Sequence, residues 1–146
     1  MLVRVLLLGT ICAVLSASPV RAHHSHANYD TAKWTTMEGK VTEVHYLVPH
    51  SWLYIEVKDA KGAPTIWALE GTGHGGLQRV DVKREDLKAG DAVKVRCHLL
   101  RDGSNGALLG FVTPMHGDAA RGHGIERDWD GGGGGGEPAP GQPGLR

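Results

Sequence analysis

The chain has 146 residues, with 16 basic and 16 acidic side chains, nine histidines and two cysteines. Setting aside an amino-terminal export signal that carries Arg4 and Arg21 leaves 14 basic residues (16 − 2) against 16 acidic, a formal charge of −2. That balance argues against a nucleic-acid partner and against a polybasic membrane-surface site, since both need clustered Lys and Arg.

Residues 1–22 have the three parts of a secretory signal. Arg4 lies near the start, residues 5–15 are almost wholly apolar, and Val20-Arg21-Ala22 offers small residues at a cleavage site. Eleven apolar residues are too few to span a bilayer, which disfavours the alternative of an uncleaved anchor. Cleavage after Ala22 leaves a chain of 124 residues (146 − 22) that begins His23-His24-Ser25-His26. Cys12 leaves with the signal and Cys97 stands alone, so no intrachain disulfide forms and stability must come from a core. A periplasmic or secreted protein without a stable membrane span is expected.

Residues 23–36 show no sustained periodicity and read as an extended, histidine-rich lead-in. The barrel domain is expected over 37–114, roughly 80 positions, enough for one small core. In its first strand Met37, Gly39 and Val41 share one parity, and Val44, Tyr46 and Val48 the other. Such a switch predicts a bulge near Thr42-Glu43. After a corner at Val48-Pro49-His50-Ser51, strand 2 alternates Leu53, Ile55 and Val57 against Trp52, Tyr54 and Glu56. Strand 3 is expected over 65–70. The β pattern stops over 71–90, where residues 84–87 suggest one helical turn. Strand 4 alternates Val93, Val95, Cys97 and Leu99 inward with Lys94, Arg96 and His98 outward. Asp102-Gly103 and Asn105-Gly106 are turn dipeptides before strand 5, expected over 107–113. Three strands, a short helical connection and two strands make the order of a five-stranded OB-like barrel, all-β apart from that connection. An open antiparallel β-sandwich is the alternative. Residues 115–146, with six consecutive glycines at 131–136, read as a disordered tail with little to bury.

Histidine carries most of the candidate chemistry. An N-terminal His23 would chelate through its α-amine and ring, with His24 or His26 adding imidazole, a donor set suited to copper first and zinc or nickel behind it. His50 would join them if the lead-in folds back over the strand 1–2 corner. The bland alternatives are a solvated chain end that binds metal incidentally and a His50 that hydrogen-bonds its own turn. A second candidate is an outward aromatic surface of Trp52, Tyr54 and Trp67, able to bind a protein or small ligand. Glu38, Glu43, Glu56 and Glu70 read as solvated strand positions. No nucleophile elbow, His-Glu-x-x-His or phosphate-loop pattern occurs, and the glycine-rich stretch around His74 matches none of them. No catalytic residue is selected, and the reading leans away from an enzyme.

A His-His-Ser start, Tyr29-Asp30, Gly39-Lys40-Val41 and Pro49-His50-Ser51-Trp52 occur in that order. Trp67-x-x-Glu70-Gly71, Leu87-Lys88-Ala89-Gly90-Asp91 and Arg101-Asp102-Gly103-Ser104 follow. This ordered set resembles a family of small secreted bacterial proteins classed as a domain of unknown function, over about residues 22–114. The resemblance implies a periplasmic or secreted location and no established activity. Where that family often has Asn before Pro-His, this chain has Val48.

Overall fold

The computed structural model describes residues 26–131. The expected signal and cleavage point, with His23 and His24, lie outside the described residues. Five strands form the wall: β1 (Thr35–His45), β2 (His50–Lys58), β3 (Pro64–Thr72), β4 (Ala92–Leu99) and β5 (Gly106–Pro114). Helix α1 (His74–Arg79) separates β3 from β4, and a two-residue strand β6 (Arg127–Asp128) follows β5.

β1 pairs antiparallel with both β2 and β4, β2 with β3, and β4 with β5. A short parallel pairing of 68–70 in β3 with 106–108 in β5 closes the circuit β1-β2-β3-β5-β4. The fold is thus an OB-like barrel and not an open sandwich. One strand can serve two neighbours because β1 bends. Its register against β2 slips between Val41 and Glu43, leaving Thr42 as the extra residue, whose hydroxyl donates to the Tyr54 carbonyl at 3.2 Å. Val41, Leu53, Ile55, Leu69, Val93, Val95, Cys97, Leu109 and Val112 fill the interior, each at most 1% exposed. Burying each aliphatic side chain stabilises the fold by about 1.5–3 kcal/mol.

Four expectations need correction. The helix is His74–Arg79, and residues 84–87 form a turn and no helix, with Asp86 N–H donating to the Lys83 carbonyl. Glycine here marks crowding and not looseness, because a Cβ on Gly76 would lie 2.5 Å from Thr72 Oγ1. That close approach seats Leu77, fully buried, against the barrel. Secondly, His98 faces outward as its parity predicts but is buried and not solvated. The β4–β5 register shifts between Arg96 and Cys97, and the outer wall there is covered by the lead-in.

Thirdly, Trp67 faces the core side, because it pairs with Ile55 and cross-strand partners share a face. Lastly, the chain after Gly117 does bury surface: Trp129 is 1% exposed and the largest fully buried side chain among the described residues. Its backbone bridges the seam where β5 and β3 part. Trp129 N–H donates to the Gly110 carbonyl, and its own carbonyl accepts from Thr72 N–H at 2.7 Å. Asp118 caps the 3-10 turn Ala119–Arg121, and Arg121 pins this segment through Asp91 and the carbonyls of Glu85 and Asp86.

Candidate functional site: a histidine–carboxylate–tyrosine chain beside an aromatic wall

Strand period and register together compose the outer face of β1–β3. With Leu53 and Ile55 inward, His50, Trp52 and Tyr54 point outward. His45 pairs with Trp52, Glu43 with Tyr54, and Glu70 with Trp52, so these share the same face. Trp52 and Tyr54 stack with centroids 6.4 Å apart and planes 25° apart, and the His45 ring lies 5.3 Å from Tyr54. His45 Nε2 is 2.9 Å from Glu43 Oε2 on the exposed rim. Two of the three expected aromatics therefore form a surface, and Trp67 does not belong to it.

His50 is the first residue of β2 and not a corner residue. The corner is residues 46–49, held by His74 N–H donating to the Leu47 carbonyl at 2.9 Å. Diagonally across the β2–β3 pair, Glu70 brings Oε1 to 3.1 Å from His50 Nδ1, with both side chains about three-quarters buried. The other oxygen, Oε2, accepts the Tyr29 hydroxyl at 2.5 Å. Burial first, and then the bond to Glu70, push the Tyr29 phenol well above its ordinary value. Glu70 is thus no solvated strand position but the centre of a Tyr29–Glu70–His50 chain. Its parity with Trp52 was the available signal; the partner 41 residues upstream was not readable locally.

Tyr29 arrives from the lead-in. A 3-10 turn (His26–Asn28) leads into a bridge between Tyr29 and Leu100. Asp30 N–H donates to the Leu99 carbonyl at 2.8 Å, and Arg101 N–H to the Asn28 carbonyl at 2.9 Å. Farther along, the Trp34 ring packs on His98 with centroids 3.9 Å apart and planes 37° apart, and the Arg96 guanidinium lies 5.2 Å from its ring. His98 Nδ1 lies 2.7 Å from the Lys33 carbonyl. A Cβ on Gly110 would meet the Trp34 ring at 2.5 Å, so glycine lets the strap lie flat on β5. The lead-in therefore returns to the barrel wall, and it carries His26 three residues from Tyr29.

The other histidines are dispersed. His116 and His123 stand 6.1 Å apart in the segment after β5, each accepting a backbone N–H through Nδ1. His74 Nδ1 and Ser51 Oγ are buried without a hydrogen-bond partner among the described residues. Among the described residues, no three His, Cys, Asp or Glu side chains converge as a metal site. His26 and His50 are the described members of the expected metal set. Burial pushes the Cys97 thiol up to about 12, so it is an inert core group. Among the described residues no helix is long and apolar enough to cross a membrane.

No curated protein matches the chain. Among solved structures, the mitochondrial single-stranded DNA-binding protein Rim1 of S. cerevisiae is similar at 12% identity. The match covers 57% of this chain and 95% of that one, with a TM-score of 0.43, too low to bear on ligands. A family of unknown function, DUF6152, matches residues 11–109, which include every strand from β1 to β4 and the Tyr29–Glu70–His50 chain; the protein belongs to that family.

Proposed function

We propose that this is an exported, non-enzymatic module that binds a divalent transition metal, copper first and zinc or nickel behind it, through His50 and the histidines of its lead-in. The observation that supports this reading is the return of the lead-in toward His50 at the start of β2. Tyr29 touches Glu70, and Glu70 touches His50. Three residue steps carry the chain from His26, at the turn before Tyr29, back to His23 (26 − 23), a reach of up to about 10 Å. His50 also holds one ring nitrogen against a carboxylate, as ligating histidines commonly do.

The test is Cu(II) titration followed by EPR on protein purified from the periplasm, whose terminus is set by the cell and read by mass spectrometry. A variant with one extra residue before His23 and a His50→Ala variant serve as comparisons. One-to-one binding that both changes weaken is expected. Weak, multi-site binding that neither change alters would refute the reading.

A second reading rests on the Trp52–Tyr54 stack, a partly exposed platform on the same wall able to receive a periplasmic protein or small ligand. It would displace the first if Trp52→Ala abolishes capture of a partner that replacing His23, His24 and His26 leaves intact.

A further inference from the structure

We infer that the aromatic wall receives a segment of this same chain: the proline-rich stretch 138–143, which lies outside the described residues, docks on Trp52 and Tyr54. The inference rests on the second reading above and deepens it by naming the occupant of that platform.

The place where the described chain leaves the barrel argues for it. Thr72 pairs with His50, so its side chain shares the outward face that carries Trp52 and Tyr54. Gly131 lies against that side chain, because a Cβ there would meet Thr72 Oγ1 and Cγ2 at 2.6 Å. Asp128 Oδ1 accepts the N–H groups of Asp130 and Gly131 at 2.8 and 3.1 Å, which holds Gly131 in that place. Trp52 is two residues along β2 from His50, hence roughly 8 Å from Thr72 at about 3.3 Å per residue and about 4.8 Å between strands. The chain therefore departs at the border of the wall.

The sequence that follows suits both the span and the surface. Residues 132–136 are glycines, and Pro138 stands seven steps beyond Gly131 (138 − 131). Seven glycine-rich steps have a root-mean-square reach of about 15 Å, enough to cover that distance without stretching. A ligand tethered in this way reaches an effective concentration on the order of millimolar. Pro140 and Pro143 are three apart, the period of a polyproline II helix, so they share one face of it. Such a helix makes no internal hydrogen bonds; its carbonyls accept from an indole N–H while its rings pack on aromatic rings. Trp52 and Tyr54, with planes 25° apart, supply two nearly parallel rings and that indole N–H. A partner from outside has to displace the tethered segment, so the tail governs access to the platform.

The test places a nitroxide at Ala139→Cys in the full chain purified from the periplasm and follows the indole signals of the four tryptophans by NMR. Cys97 is buried and takes no label. The Trp52 signal should broaden while that of Trp34, on the β5 wall, stays sharp. Pro138→Ala, Pro140→Ala and Pro143→Ala together should remove the difference. A synthetic peptide of residues 137–144, added in trans, should bind that triple variant about tenfold more tightly than the wild type, whose wall is already occupied. Trp52→Ala should lose the peptide. Equal broadening of Trp52 and Trp34, or selective broadening that the proline changes leave intact, would refute the docking. If the peptide binds wild type and triple variant equally and Trp52→Ala loses it, the platform stands and the tethered segment is not its occupant. If the label broadens neither signal and the peptide binds neither protein, the inference falls alone, and the platform keeps its own test in the Trp52→Ala capture above.

Discussion

Trp129→Ala tests whether the segment after β5 is part of the fold. The indole is 1% exposed and packs in the main core cluster, 6.1 Å from the Tyr46 ring. A tryptophan buries about 150–250 Å², which at about 25 cal/mol per Å² is about 4–6 kcal/mol. Measured Trp→Ala changes in cores run about 3–5 kcal/mol, because part of the cavity collapses. Against a total of about 5–15 kcal/mol for a domain, that is a large fraction. At about 4–8 °C per kcal/mol for a domain this size, the melting temperature should fall by about 20 °C.

The backbone of Trp129 also joins Gly110 of β5 to Thr72 of β3, so the lesion should loosen the barrel's weakest seam as well as its core. Urea denaturation of wild type and variant, followed by far-UV circular dichroism, gives the difference directly. A loss below about 1 kcal/mol would mean that the indole does not fill the barrel, and the assignment of residues 115–131 to the domain would be refuted.

Three further outcomes follow from particular contacts. Gly71→Ala puts a Cβ 3.0 Å from the Trp129 carbonyl and 3.2 Å from its ring, and should cost about 1–3 kcal/mol by overpacking, read by the same denaturation curves. Trp52→Ala, on the outer wall, should cost about 1 kcal/mol through the lost Tyr54 stack and leave the strap untouched. A loss of several kcal/mol there would show that Trp52 is a core residue.

Stability should also fall at alkaline pH. Burial holds the Cys97 thiol at about 12 against an ordinary 9.0; burial and then the Asp86 charge hold the Tyr46 phenol at about 12 against 10.0. Both groups keep their protons in the fold where the unfolded chain has released them. Stability is therefore full below about pH 9 and declines toward pH 12, at up to about 1.4 kcal/mol per pH unit for each group. Urea midpoints at pH 8, 9.5 and 11 check the slope. Cys97→Ala should remove its first part, and a flat profile would refute the assignment of these two groups.

Much of the architecture was legible in the amino-acid order because strands announce themselves by local rules. The parity switch after Val41 gave away the bulge, the alternation of Leu53 and Ile55 the inner face of β2, and the strand order an OB-like barrel closed on itself. Those signals live within ten residues and depend on a period of two. What escaped was everything decided by partners distant in sequence. Trp129 lies between glycines in a stretch too short to show a pattern, yet a gap between β3 and β5 receives it.

His98 reads as outward by alternation, and it is outward. Only the strap carrying Trp34, 64 residues earlier (98 − 34), makes that wall an interior. Glu70 looks like any solvated strand carboxylate until Tyr29 and His50 meet it from two directions. A sequence settles which face of its strand a residue occupies, because backbone geometry is local. Whether that face meets water or another part of the chain is set by packing, and packing is not local.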